Sequence, residues 1–121
     1  MKDATLLAEP TIDSNGKVAT YTFKFTVEAD GADVDLSNGT IVETVSQSVV
    51  PSFSIKKDSG NATGTLGTTY TVADGDTASF TVTYTVDPAG PATTGTYYVT
   101  IDTIAGVSVD KTAGPETITT L

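Results

Sequence analysis

The residues of this chain best suited to chemistry are its aspartates. Asp30, Asp33 and Asp35 fall within one short stretch, 30–35, and carboxylates at close spacing are what a hard cation such as calcium takes. Asp33-Val34-Asp35-Leu36-Ser37 imitates the first three ligand positions of an EF-hand loop. The imitation then fails: the glycine that the loop requires arrives one residue late at Gly39, the twelfth position is Thr44 rather than Glu, and no helical period flanks the segment. Two readings stay open. One is a looser calcium site at an end of the molecule, shared with Asp74 and Asp76. The other is plain turn aspartate, which favours turns by bonding its own backbone. No other cofactor is implied.

Catalysis has little to draw on. The chain contains no His, Cys or Arg, so general-base imidazoles, thiolate nucleophiles and guanidinium clamps are all missing. Carboxylate pairs remain, but the aspartates lie in turn-like stretches with nothing evident to raise a pKa. The expectation is a protein that is not an enzyme. Asn38-Gly39-Thr40 and Asn61-Ala62-Thr63 match the N-glycosylation sequon, a motif that recurs by chance in Thr-rich chains. An isopeptide crosslink between Lys and Asn or Asp would need its partners buried beside a carboxylic acid. Lys24 falls in the outward phase of its segment, and Asn15, Asn38 and Asn61 fall in turns.

The elements that hold these residues read as strands throughout. The organising stretch is Asp76 to Ile104: Ala78, Phe80, Val82, Tyr84 and Val86 take every second position with Thr or Ser between them, and Tyr97, Val99 and Ile101 repeat the pattern. This is the period of a strand with one face in a core. The clearest strand runs from Ala19, with Tyr21, Phe23, Phe25, Val27 and Ala29 apolar and the residues between them polar. A first strand, Thr5–Ala8 with Thr11–Ile12, is interrupted by Pro10 and so marks an edge. Asn15-Gly16 signals a tight type I′ hairpin. Val34 and Leu36 make a brief strand. Thr40–Val50 is strand-like, with Ile41, Val45 and Val49 sharing a face with Glu43 and Gln47 while Val42 and Val50 take the other, so its inward side is not fixed. Phe53 and Ile55 alternate with Ser and Lys up to Lys57. The Gly/Ser/Thr/Asn-rich segment Asp58–Thr69 reads as a mobile loop, and Tyr70 and Val72 as a short strand. Beyond Ile104, Val107 and Val109 start a last strand that Gly114-Pro115 breaks before Thr117–Leu121.

About seven or eight short antiparallel strands at roughly ten-residue spacing describe an all-β, two-sheet β-sandwich. The 121 residues form a single domain, 1–121, large enough to bury about two-thirds of its unfolded surface without a crosslink. Fifteen acidic against six basic residues give a net charge of −9, which argues against nucleic acid and anionic membranes, both of which need clustered Lys or Arg. No apolar run approaches the 18 residues of a membrane span, and MKDATLLAEP lacks the anatomy of a signal peptide. Low charge and a Thr content of about a fifth favour a domain excised from a longer secreted protein over a cytosolic one.

The segments TVADGDTASFTVTYTVDP and GTYYVTI resemble the closing half of immunoglobulin-like and fibronectin-type-III-like modules of prokaryotic cell-surface proteins, including the cell-adhesion-related domains of bacteria. YTFKFTVEADGADVDL is similar to an early strand and its following loop in comparable modules. The resemblance covers about half of the chain and rests on structural motifs. It implies a sandwich in an extracellular, cell-surface setting, acting as a structural or adhesive module with neighbouring domains of the same parent chain or cell-surface polymers as partners. The antibody-type subfamily is excluded, since its Cys pair and Trp are missing. A carbohydrate- or peptidoglycan-binding module is the alternative, with Tyr70 and Tyr98 as the platform residues available. Tyr97 sits where such sandwiches place a tyrosine corner, its hydroxyl bonding the preceding crossover, or else it is simple core packing. A spacer of this kind carries Met1 and Leu121 at opposite poles and no deep polar pocket.

Overall fold

Strand formation follows the apolar alternation closely. A computed structural model describes residues 2–6, 10–46, 50–88 and 94–119. In chain order the strands are β1 (Lys2–Leu6), β2 (Thr11–Ser14), β3 (Ala19–Ala29), β4 (Val34–Ser37), β5 (Ile41–Val45), β6 (Ser52–Gly60), β7 (Thr63–Thr65), β8 (Thr69–Val72), β9 (Thr77–Val86), β10 (Thr94–Ile104) and β11 (Val107–Thr119). The described residues contain no helix.

Strands β3 and β9 are the centre. They pair antiparallel with Tyr21 opposite Tyr84, Phe23 opposite Val82, Phe25 opposite Phe80 and Val27 opposite Ala78. The register sets apolar against apolar on one face, and a slip of one residue would turn the whole set to water. Phe23, Phe25 and Phe80 are fully buried, each worth about 1.5–3 kcal/mol of transfer free energy. Phe25 and Phe80 lie 5.8 Å apart between ring centres, and Phe23 meets Tyr84 edge-on at 6.1 Å. On the opposite face, hydroxyls pair across the strands, as with Thr26 and Ser79 at 2.9 Å.

The sheet around this pair has the order β1-β3-β9-β6, with β2 also pairing β3. A second sheet, β11-β10-β5, contributes Val99, Ile101, Ile104, Ala113, Ile118 and Ile41 to the same buried cluster. A small third sheet, β4-β8-β7, closes one flank with Val34, Leu36 and Val72. The molecule is therefore all-β with three antiparallel sheets in a sandwich-like arrangement. The described residues hold eleven strands against the seven or eight expected; among the differences, β1 and β2 stand where one first strand was read, and β7 lies where a loop was expected.

Segment 58–69 is the main correction. It is not a mobile loop: β6 extends to Gly60, β7 follows, and Thr69 already belongs to β8. Its glycines serve close approach rather than slack. A Cβ on Gly64 would lie 2.1 Å from the Thr69 carbonyl oxygen, and Gly67 turns with φ +91 and donates its N–H to the Ile55 carbonyl at 2.8 Å. The last strand is also continuous rather than broken at Gly114-Pro115. A register shift between Tyr97 and Val99 absorbs the irregularity, and Gly114 allows the chains to touch, since a Cβ there would lie 3.0 Å from the Tyr97 carbonyl oxygen. The hairpin at Asn15-Gly16 exists but is wider than a two-residue turn: Ser14 pairs with Ala19, and the Asn15 carboxamide oxygen accepts the N–H groups of Lys17 and Val18 at 2.9 and 2.8 Å. In β5 the inward side holds Ile41, Glu43 and Val45, while Val42 faces water; Gln47 and Val49 lie outside the described residues.

The pairings fix two poles. Ala29, Gly75 and Asp76 meet at the first, through Gly75 N–H to Ala29 carbonyl (2.8 Å) and Ala29 N–H to Asp76 carbonyl (3.0 Å). Ala19 and Val86, opposite one another, mark the second. Lys2 is in register with Ala29 at the first pole. Thr119 is in register with Thr94, beyond Tyr97, whose carbonyl meets the Tyr21 hydroxyl near the second pole. Met1 and Leu121 themselves lie outside the described residues.

Candidate functional site

The first pole collects most of the residues singled out for chemistry. Turns between β3 and β4 and between β8 and β9 face each other there and are tied by their own aspartates. Asp33 Oδ1 accepts the Asp74 N–H at 2.9 Å, and Asp74 Oδ1 accepts the Gly31 N–H at 2.7 Å. Each carboxylate thus satisfies a backbone donor of the opposite or adjoining turn, a use of turn aspartate that needs no ion. Asp35 is carried away on β4, where it accepts the Thr71 hydroxyl at 2.7 Å. Asp30 is exposed. The structure brings Asp33 and Asp74 together, while Asp35 is bonded to Thr71 on the neighbouring strand. No group of three or more acidic side chains is arranged to hold a metal ion among the described residues.

Beside these turns lies a shallow depression with a volume of about 200 Å³. Its lining comes from Asn61, Ala62 and Thr63 at the β6–β7 turn, Thr71 of β8, Ala73 and Asp76 of the turn that follows, and Lys57 of β6. Both turns are set by backbone bonds. Asn61 N–H donates to the Thr77 carbonyl at 3.1 Å, and Asp76 N–H to the Ala73 carbonyl at 2.9 Å. Gly60 has φ +84, and a Cβ on it would lie 2.3 Å from the Thr77 carbonyl oxygen, so glycine is required for this turn to sit against β9. Lys57 is the residue that sequence reasoning passed over. The signal was its phase: it follows Phe53 and Ile55 on the inward side of β6 and is half-buried, whereas its neighbour Lys56 is exposed and pairs with Asp58 at 3.4 Å.

A second polar feature is buried. Tyr21 and Tyr84, opposite each other on β3 and β9, are both fully buried. The Tyr21 hydroxyl donates to the Tyr97 carbonyl oxygen at 2.8 Å, joining the two large sheets. Burial, helped by the nearby Glu116 carboxylate and the Tyr97 phenol, pushes the Tyr21 phenol up to about 12. Burial and the Glu43 carboxylate raise Tyr84 further, yet its hydroxyl has no hydrogen-bond partner among the described residues. Tyr97 is buried, 8% exposed, with its ring over Gly95. The Tyr21 hydroxyl thus bonds the backbone of Tyr97; of the crossover that a Tyr97 corner would bond, residues 89–93 lie outside the described residues.

The two platform residues separate. Tyr70 packs on Phe80 at 5.5 Å and is half-buried. Tyr98 is 37% exposed on the outer face of the β11-β10-β5 sheet, where Thr44 donates to Asp102 at 2.6 Å nearby. The sequon residues Asn38 and Asn61 both lie in turns, and Lys24 is exposed on the outer face of its sheet. No protein-family model, no curated protein and no solved structure matches the chain.

Proposed function

We propose that this chain is an immunoglobulin-like module serving as a structural or adhesive bead within a larger cell-surface or secreted protein. The strand orders support the fold reading: β1/β2-β3-β9-β6 opposite β11-β10-β5 is the four-plus-three order of constant-type immunoglobulin sandwiches. On this reading β4, β7 and β8 are additions that cover one flank. The setting outside the cell rests on composition, with low charge and outward faces made of threonine and serine. The partners are neighbouring domains of the parent chain or surface polymers, and the module carries no catalytic role.

The observation that carries the functional reading is the path of the chain. It enters β1 at the first pole, where Lys2 faces Ala29, and leaves β11 at the second, where Thr119 faces Thr94. A spacer must pass the chain from pole to pole, whereas a domain appended to an enzyme has no such requirement. The test is the length of a tandem. Three copies joined in series are measured by small-angle scattering. Strands of 10 to 13 residues at about 3.3 Å per residue imply that each copy lengthens the particle by about 35–45 Å. A tandem whose maximum dimension scarcely grows, because the copies fold back side by side, would remove the reading.

A further inference from the structure

We infer that the depression at the first pole is a recognition site for an uncharged sugar ring. The inference goes beyond the spacer reading and does not depend on it.

The lining has the chemistry of a polyol site. Asp76 supplies a carboxylate that accepts from two hydroxyls, and Lys57 supplies an ammonium that donates to hydroxyl or ring oxygen. Asn61 offers both a donor and an acceptor, as does Thr63. Ala62 and Ala73 add methyl groups against which the C–H face of a pyranose can lie. The two charged groups share the depression without forming an ion pair; the ion pair found among the described residues is the neighbouring Lys56–Asp58. Lys57 and Asp76 are half-buried residues lining one depression and not paired with each other, and they leave bonding capacity that a ligand takes up.

Charge selects the class. One positive and one negative group make the lining neutral, so it asks for no net charge in its ligand. Anionic ligands are further opposed by Asp30, Asp33 and Asp74 around the same pole and by the net charge of −9. The volume of about 200 Å³ admits one ring rather than a chain. Both walls are preorganised by the backbone bonds of Asn61 and Asp76, so little ordering opposes binding. No aromatic side chain lines the depression, and a ligand of this size without an aromatic stack has a Kd of about a millimolar.

The experiment is a titration of ¹⁵N-labelled protein with methyl α-glucopyranoside, methyl α-mannopyranoside and N-acetylglucosamine, each taken well above a millimolar, with putrescine as a cationic control. Saturable amide shifts confined to residues 61–63 and 71–76 with at least one sugar are expected. Asp76→Asn, which keeps the turn, should weaken that sugar by about tenfold, and Ala73→Leu, which fills the depression, should abolish the shifts while the remaining spectrum stays unchanged. Three results overturn the inference: no shift at these amides with any of the sugars, sugar-induced shifts around Tyr98 instead, or equal shifts with putrescine.

Discussion

Two tyrosines opposite each other in the core should respond with opposite sign to the same substitution. The Tyr84 hydroxyl is fully buried and has no hydrogen-bond partner among the described residues. Burying an unsatisfied hydroxyl costs about 1–3 kcal/mol. Tyr84→Phe removes that cost and keeps the ring contacts with Phe23 and Phe53, so it should raise stability by about 1 kcal/mol, or about 4 °C in Tm for a domain of this size. Tyr21→Phe loses the 2.8 Å bond to the Tyr97 carbonyl, which should lower stability by about 1–2 kcal/mol. Urea unfolding of both variants, with unchanged m-values, reads the difference directly. Alkaline titration gives a second reading. An unfolded tyrosine loses its proton near pH 10, whereas Tyr21 in the folded protein holds its proton to about 12. The unfolded state therefore binds fewer protons in that window, and the stability present below pH 10 falls as pH rises towards 12. The fall should be shallower in Tyr21→Phe. Equal destabilisation by the two substitutions would refute the assignment of one satisfied and one orphaned hydroxyl.

The remaining predictions concern turns. Ala105 and Gly106 form the two-residue β10–β11 turn, and Ala105 has φ 49, a left-handed conformation unfavourable to alanine; Ala105→Asn should stabilise by about 0.5–1 kcal/mol in denaturant unfolding. Gly114→Ala, at φ +108 with backbone 3.0 Å from the new Cβ, should cost about 1–3 kcal/mol. Asp33→Ala should cost about 1 kcal/mol through the bond to Asp74 N–H with or without calcium. Millimolar calcium should leave Tm nearly unchanged, whereas a site with a Kd of about 10 μM would add about 2.7 kcal/mol at that concentration.

What the sequence made legible was what local alternation determines. The inward sets of β3 and β9 could be read residue by residue, because each second position is apolar and nothing interrupts the period. The pattern was silent where a residue's role is set by a neighbour distant in the chain. Gly60 and Gly64 look like loop glycines until β9 and β8 are laid against them, and only then is the missing Cβ seen as a packing requirement. Glu43 falls in the apolar phase of β5, so alternation alone could not fix which face of that strand turned inward, and Lys57 falls likewise in the apolar phase of β6. The mutual ties of the aspartates, Asp33 to the Asp74 backbone and Asp74 to the Gly31 backbone, depend on two turns meeting that lie far apart in sequence.

Lys57 joins the two proposals. In a module meant to stand among copies of itself, exposed sheet edges invite pairing between neighbours, and inward-pointing charge, bulges and covering loops are the usual defences. The β6 edge has all three: Lys57 in the inward phase, a register shift between Lys57 and Ser59, and the Gly67 turn laid across Ile55. The opposite edges are guarded differently, with β5 only five residues long and Pro115 in β11. A lysine placed for edge defence needs its stem along the apolar end of the strand and its ammonium out in water. It has no need of a carboxylate lining the same depression or of two turns held by backbone bonds. Edge defence accounts for Lys57 on β6, but Asp76 comes from the distant β8–β9 turn, and its convergence with Lys57 and Asn61 on one depression is what the sugar site explains and edge defence does not.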